Sequence, residues 1–264
     1  MKKIITLLMA VVMCFACVSL TACKEEGKKP TLYVYTNAGF APYEYLTVDG
    51  EIVGVDIDIM EEIGEILGYK IVVKDIKFTQ IFHEVPANVN AVGAAGITQR
   101  DDRDATMQAS IPYATSTQYV IAPKDSLDDL VEDGKVQLSA LAGMNVGVQN
   151  GTTGHTMVEE ALIEGGALYN TNAQVKRYQN AILASNDIGS VVGAVVIDEL
   201  PAQRIVEANS NLECYRLDAE PESYVLYFNK DATELVTKVN EILNVMIENG
   251  VIEYLILKHS GGIV

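Results

Sequence analysis

Short runs of apolar and β-branched residues alternate along this chain with longer stretches whose apolar positions recur every three or four residues. Leu32 to Thr36 predicts a strand. It opens into a loop running from Asn37 through Gly39, Phe40, Pro42 and Tyr43 to Glu44 and Tyr45, rich in aromatics. After an Asp49-Gly50 turn, Val55, Ile59, Ile63, Ile66 and Leu67 share one helical face, and Asp58, Glu61, Glu62 and Glu65 share the other. Asp56 reads as the N-cap of that helix and Gly68 as its stop, which makes Asp56 and Asp58 a cap and a surface charge. Ile71 to Val73, Val92 to Ile97 and Tyr119 to Ala122 predict further strands. Phe78 to Val85 and Asp125 to Val131 predict short helices.

A second unit of the same kind starts with Met144 to Gln149. It turns through Asn150-Gly151-Thr152-Thr153-Gly154 into a helix carrying Met157, Val158, Ala161 and Leu162. Gly193 to Ile197 is apolar almost throughout and predicts a central buried strand ending at Asp198. Tyr224 to Phe228 predicts a last strand, Ala232 to Glu248 a long amphipathic helix stopped by Asn249-Gly250, and Glu253 to Lys258 a closing helix. Strand and helix alternating in this way imply an α/β fold with mostly parallel sheets covered on both faces.

At 264 residues the chain has room for two modest domains or one large one. With 19 Lys plus Arg against 36 Asp plus Glu, its net charge is −17. That balance argues against nucleic acid as a partner and against a basic surface that binds anionic lipid. The N-terminus carries a different message. Met1-Lys2-Lys3 precedes an apolar run from Ile4 to Leu20, which describes a secretory leader. Leu20-Thr21-Ala22-Cys23 resembles the bacterial lipobox, so residues 1–22 are expected to be a lipoprotein signal peptide, Cys23 to be acylated, palmitate included, and 23–30 to form a tether. Cys14 and Cys17 leave with the leader and Cys214 alone remains, a partly buried structural Cys without a disulfide partner. No Cys/His spacing fits a metal, and no cofactor is expected.

Candidate chemistry concentrates between Gly93 and Tyr113. Small residues at Ala95 and Gly96 admit close backbone approach, Thr98 offers a hydroxyl, and Arg103 has the fork that holds a carboxylate. The Gly/Thr turn before the helix at Thr153 presents free N–H groups to an anion. It lacks the Lys of a phosphate loop. Asp198 sits where doubly wound sheets place ligand groups. Phe40 reads as a ligand-stacking ring, whereas Tyr43 and Tyr45 read as packing onto their own domain.

Six segments in fixed order, TNAGFAPYEYL, DGEIVGVDIDIMEEIGEILG, AAGITQRDDR with SIPY, VGVQNGTTG, GAVVIDE and VNEILNVMIENG, resemble the family 3 extracellular solute-binding proteins of polar amino acid ABC importers. The resemblance implies a two-lobed, type II periplasmic-binding-protein (Venus-flytrap) fold with two hinge strands. Residues 31–115 plus 223–264 would form one lobe and 118–219 the other. It implies a non-catalytic, monomeric receptor, lipid-anchored on the outer face of the bacterial cell membrane. Such a receptor binds a free amino acid and delivers it to an ABC permease with its ATPase. A cyclohexadienyl dehydratase-like enzyme and an amino acid sensor component are the alternatives on the same scaffold. By resemblance Arg103 clamps the α-carboxylate with the amides of Thr98 and Thr153, beside Thr152. The Thr98 hydroxyl, the Gly96 carbonyl and Asp198 take the α-ammonium; Phe40 and Phe78 stack on the side chain; Asn37, Ala95 and Gln149 read it. Asn37 stands where many relatives carry Asp, which favours a neutral polar or otherwise non-basic ligand. Arg100 replaces a small or hydroxylic residue and either enters the pocket or points to solvent.

Overall fold

A computed structural model describes residues 29–261; the expected leader and Cys23 lie outside them. Strand β1 (Thr31–Thr36) buries every second residue, as a strand between unequal layers does. Helix α1 (Val55–Leu67), strand β2 (Lys70–Asp75), helix α2 (Phe78–Ala87), β3 (Ala91–Gly93) and β4 (Met107–Ala109) follow. Strand β5 (Ala114–Ser116) leads out to β6 (Gln118–Pro123), β7 (Asn145–Gln149), α3 (Thr153–Leu162), β8 (Gln174–Tyr178), α4 (Ala181–Asn186), β9 (Ala194–Asp198), α5 (Glu199–Glu207) and β10 (Leu212–Arg216). Strand β11 (Glu222–Tyr224) leads back to β12 (Tyr227–Asn229), and α6 (Thr233–Glu248) and α7 (Val251–His259) follow.

Two five-stranded sheets result, in the orders β2-β1-β3-β12-β4 and β8-β7-β9-β6-β10. In each, three parallel strands joined through helices are extended by two more strands through antiparallel pairing. Between the sheets the chain crosses twice, on β5 and β11, which pair antiparallel with Thr115 opposite Ser223. Helix α2 covers one face of the first sheet through Ile81 and Val85 against Ala91 and Tyr227. Helices α1, α6 and α7 cover the other through Ile59, Ile63, Val239 and Leu243. Strand β9 is the central strand expected: Ala194 and Val196 pack with Val158 of α3, and Val195 and Ile197 pack into the opposite layer. Among the described residues no helix is long and apolar enough to cross a membrane.

Several elements depart from expectation for physical reasons. Asp125 to Val131 is not a helix but a single 3-10 turn, Asp128–Leu130, followed by a hairpin of Val131–Glu132 with Lys135–Val136. Asp133-Gly134 supplies the two positive φ values that a two-residue hairpin turn needs, and this outweighs one turn of helical spacing. The expected strand Val92–Ile97 stops at Gly93, because Gly96 turns the chain with φ +52°. Tyr224–Phe228 divides into the end of β11 and the start of β12, one belonging to the crossing and one to a sheet.

Candidate ligand-binding site

The two sheets point the ends of their strands at one cavity, partly open to solvent. Phe40, Phe78, Ala95, Gly96, Thr98, Arg103, Gln149, Thr152, Thr153 and Asp198 all line it, and so does Glu44. Asn37 is held just behind: its Nδ2 donates to the Ile76 carbonyl at 2.7 Å, and its Oδ1 accepts from Gln149 Nε2 at 3.0 Å. That second bond joins the two lobes.

Gly96 is required twice over. Its φ of +52° suits glycine, and a Cβ there would lie 2.6 Å from the Phe40 ring. Its N–H donates to Asp56 Oδ2 at 2.9 Å, while the Tyr113 hydroxyl donates to Oδ1 at 2.6 Å. Asp56 is therefore neither a cap nor a surface charge. It is wholly buried, and the cap is Gly54, whose place against the Tyr43 carbonyl leaves no room for a side chain. Burial lifts the Asp56 carboxyl to about 6, against the lowering effect of its two donors. Asp58 is only half surface: its carboxylate meets Lys258 and His259.

Arg103 is 5% exposed and lies 4.7 Å from the Phe82 ring centre and 5.6 Å from that of Phe78. Its Nη1 donates to the Thr98 carbonyl at 2.6 Å and its Nη2 to the Gly151 carbonyl, in the opposite lobe, at 3.1 Å. A guanidinium has five N–H donors, so three remain. Among the described residues no carboxylate pairs with it, and burial lowers its pKa to about 10. Beside it the N-terminus of α3 meets the cavity at Thr152 and Thr153, the end of a helix that favours negative charge. Thr152 caps that terminus, its Oγ1 accepting from the His155 N–H at 3.2 Å, and the buried Thr153 hydroxyl has no partner among the described residues.

The opposite side of the cavity is acidic. Asp198 Oδ1 accepts the Tyr224 hydroxyl at 2.7 Å, and burial, then Glu222, push its pKa up to about 7. The Thr98 hydroxyl donates its proton to Glu222 Oε2 at 2.6 Å, which leaves the lone pairs of its oxygen as acceptors. Glu44 is the residue that the sequence reading passed over. Its side chain is buried, its Oε2 has no partner among the described residues, and burial holds its pKa well above the usual carboxylate range. The signal was present in the sequence: a lone acid set between Tyr43 and Tyr45 in an otherwise uncharged loop.

Tyr43 packs edge-on against Tyr224 at 4.9 Å, and Tyr45 bonds His259, so both serve their own domain as read. Asp125, Asp128 and Glu213 bring carboxylates within 4.8 Å of one another at the β10 edge of the second sheet. They are outside the cavity lining and largely exposed.

Comparison with known proteins agrees with this architecture. The model of the bacterial extracellular solute-binding proteins, family 3, matches residues 32–262. The arginine-binding extracellular protein ArtP of Bacillus subtilis is 28% identical, over 97% of this chain and 96% of its own. A probable histidine-binding protein of Neisseria gonorrhoeae is 28% identical, over 88% and 87%. The crystal structure of the amino acid ABC transporter substrate-binding protein AbpA from Streptococcus pneumoniae, bound to L-arginine, superposes with a TM-score of 0.78. It is 26% identical and the match covers 89% of this chain and 96% of that one.

Proposed function

Because the chain belongs to the bacterial extracellular solute-binding proteins of family 3, we propose that it captures an amino acid with a cationic side chain and hands it to an ABC permease. The relatives it resembles are binding proteins, and we read this chain as a receptor without catalysis of its own, acting as a monomer. The leader and the Leu20-Thr21-Ala22-Cys23 motif support a lipid anchor on the outer face of the membrane. Residues 31–115 with 223–264 would act as one lobe and 118–219 as the other, hinged at β5 and β11.

The observation that carries the ligand class is Glu44. Arg103 faces the cavity as a buried cation seeking one anion, which the α-carboxylate provides. Asp198 and Glu44 face it as two buried acids, and the α-ammonium answers only one of them. A second positive charge on the ligand lets both ionise, whereas a neutral side chain leaves one carboxyl buried and protonated. On this reading Glu44 supplies the acid that Asn37 lacks, and it favours a basic ligand over the non-basic one that Asn37 alone suggests.

Isothermal calorimetry of the purified protein against the free amino acids tests this. Arginine, lysine or ornithine should bind tightest, and Glu44→Gln should weaken them about 10- to 100-fold while leaving glutamine within about threefold. Arg103→Ala, as control, should abolish binding of every amino acid. A neutral amino acid binding tightest, with Glu44→Gln silent, would remove the cationic class but leave the receptor. No binding of any amino acid would remove the receptor reading itself, and turnover of prephenate or arogenate would replace it with an enzyme.

A further inference from the structure

The Arg100 side chain neither enters the cavity nor runs free into solvent. It is 25% exposed and is not among the lining residues. Nε and Nη2 donate to the Asp102 carboxylate at 2.9 and 3.3 Å, within its own lobe. Nη1 donates to Thr156 Oγ1 at 2.9 Å, and Thr156 lies on α3 in the opposite lobe. A guanidinium is planar, so two donors fixed on Asp102 set the plane and aim the third. The Thr156 hydroxyl is oriented as well: its proton goes to the Thr152 carbonyl at 3.3 Å, which turns its lone pairs toward Arg100.

We propose that Arg100 and Thr156 are positioning residues that latch the two lobes together, setting how long a bound amino acid is held without choosing which one. The proposal rests on the receptor reading above. It concerns a bond that exists only while the lobes are closed and that touches no ligand. Such a bond favours the closed state alone. A ligand enclosed between lobes leaves only after they part, so the latch acts on dissociation more than on association. The Asn37–Gln149 bond differs, since Gln149 lies in the cavity wall and answers to the ligand as well.

Stopped-flow kinetics with the tightest-binding amino acid tests the pair. Arg100→Ala and Thr156→Val should each raise the dissociation rate about 3- to 10-fold, the scale of one net hydrogen bond at a partly exposed site, with association within about twofold. The double variant should be no faster than the faster single, the ranking of amino acids should not change, and Thr156→Ser should keep the parent rate. Effects that multiply in the double variant, or a changed ranking, would overturn the latch. A second measurement needs no ligand. Spin labels at Glu61→Cys and Glu164→Cys, exposed positions one in each lobe, with Cys214→Ser, report the distance between lobes. Both latch variants should shift the distribution toward longer distances. An unmoved distribution would refute the latch even if the receptor reading held, and a shifted one would support it even if no amino acid bound.

Discussion

Arg103 and Glu44 are both buried, both charged when ionised, and neither is neutralised by a neighbour of opposite sign among the described residues. Burying such groups is costly unless something pairs with them, so their joint presence around one cavity describes the ligand from its negative image. The acids of this site also make a prediction with two signs. Burial raises the pKa values of Asp56 and Asp198 to about 6 and about 7, and raises that of Glu44 well above the usual carboxylate range. A carboxyl raised on folding holds its proton more tightly when folded. On account of these groups the ligand-free protein should lose stability as pH rises from about 4, with the loss levelling off above about 7. Ligand affinity should move the other way. A bound cation favours the ionised acids, so binding releases protons and weakens as pH falls below about 7, by up to tenfold per unit for each acid still protonated. Melting temperatures across pH 5–8, with calorimetry in buffers of different ionisation enthalpy, would show both trends, and a binding enthalpy independent of buffer would contradict them. At this scale most of the site was legible. Every expected residue but Asn37 lines the cavity, because most sit at a strand end, at a helix start or in the turns between them, where chemistry shows through the pattern. Glu44 was legible only as a lone acid between two tyrosines; that it is sealed from water follows from tertiary packing, which the order of residues does not carry.

The elements were legible where their apolar period was strong. Helices α1, α3 and α6 and strands β1, β7 and β9 lie within a residue or two of expectation. Strands β8 and β10 were missed, and they are the two edges of the second sheet, where Lys176, Arg177, Glu213 and Arg216 interrupt the apolar run. The start of α1 was misread for another reason. A search for an N-cap favours Asp, but Tyr43 crowds this terminus so closely that only Gly54 fits, and Asp56 is freed for long-range work. That work ties α1 to the Gly96 turn and to Tyr113. Asp56→Asn keeps the size but turns one acceptor into a donor facing another donor. We expect it to destabilise the fold by about 1–3 kcal/mol in urea unfolding and to lower ligand affinity through the displaced Gly96 turn. Parent-like stability and affinity together would show that the carboxylate is dispensable.

At the scale of the molecule, function reduces to how two lobes meet. The turn before α3 comes so near α2 that a Cβ on Gly151 would lie 2.7 Å from Thr79 Cγ2, and its φ of +82° disfavours any other residue. Gly151→Ala should hold the lobes ajar. Small-angle scattering with excess ligand should then show a larger radius of gyration than the liganded parent, and Thr79→Ala should restore part of the closure. Equal radii would show that the turn yields. The crossing strands have a role here beyond connection. Glu222 and Tyr224 project from one side of β11, and each reaches away from the hinge: Glu222 takes the Thr98 hydroxyl from one lobe and the Gln118 amide from the other at 2.9 Å, and Tyr224 holds Asp198. The pivot and the grip are thus built from the same strand. A membrane partner that pries the lobes apart does not have to compete for the ligand chemically. On the proposed receptor reading, leverage applied far from the cleft would reach Asp198 through Tyr224 of β11, and release would take mechanical work at the hinge.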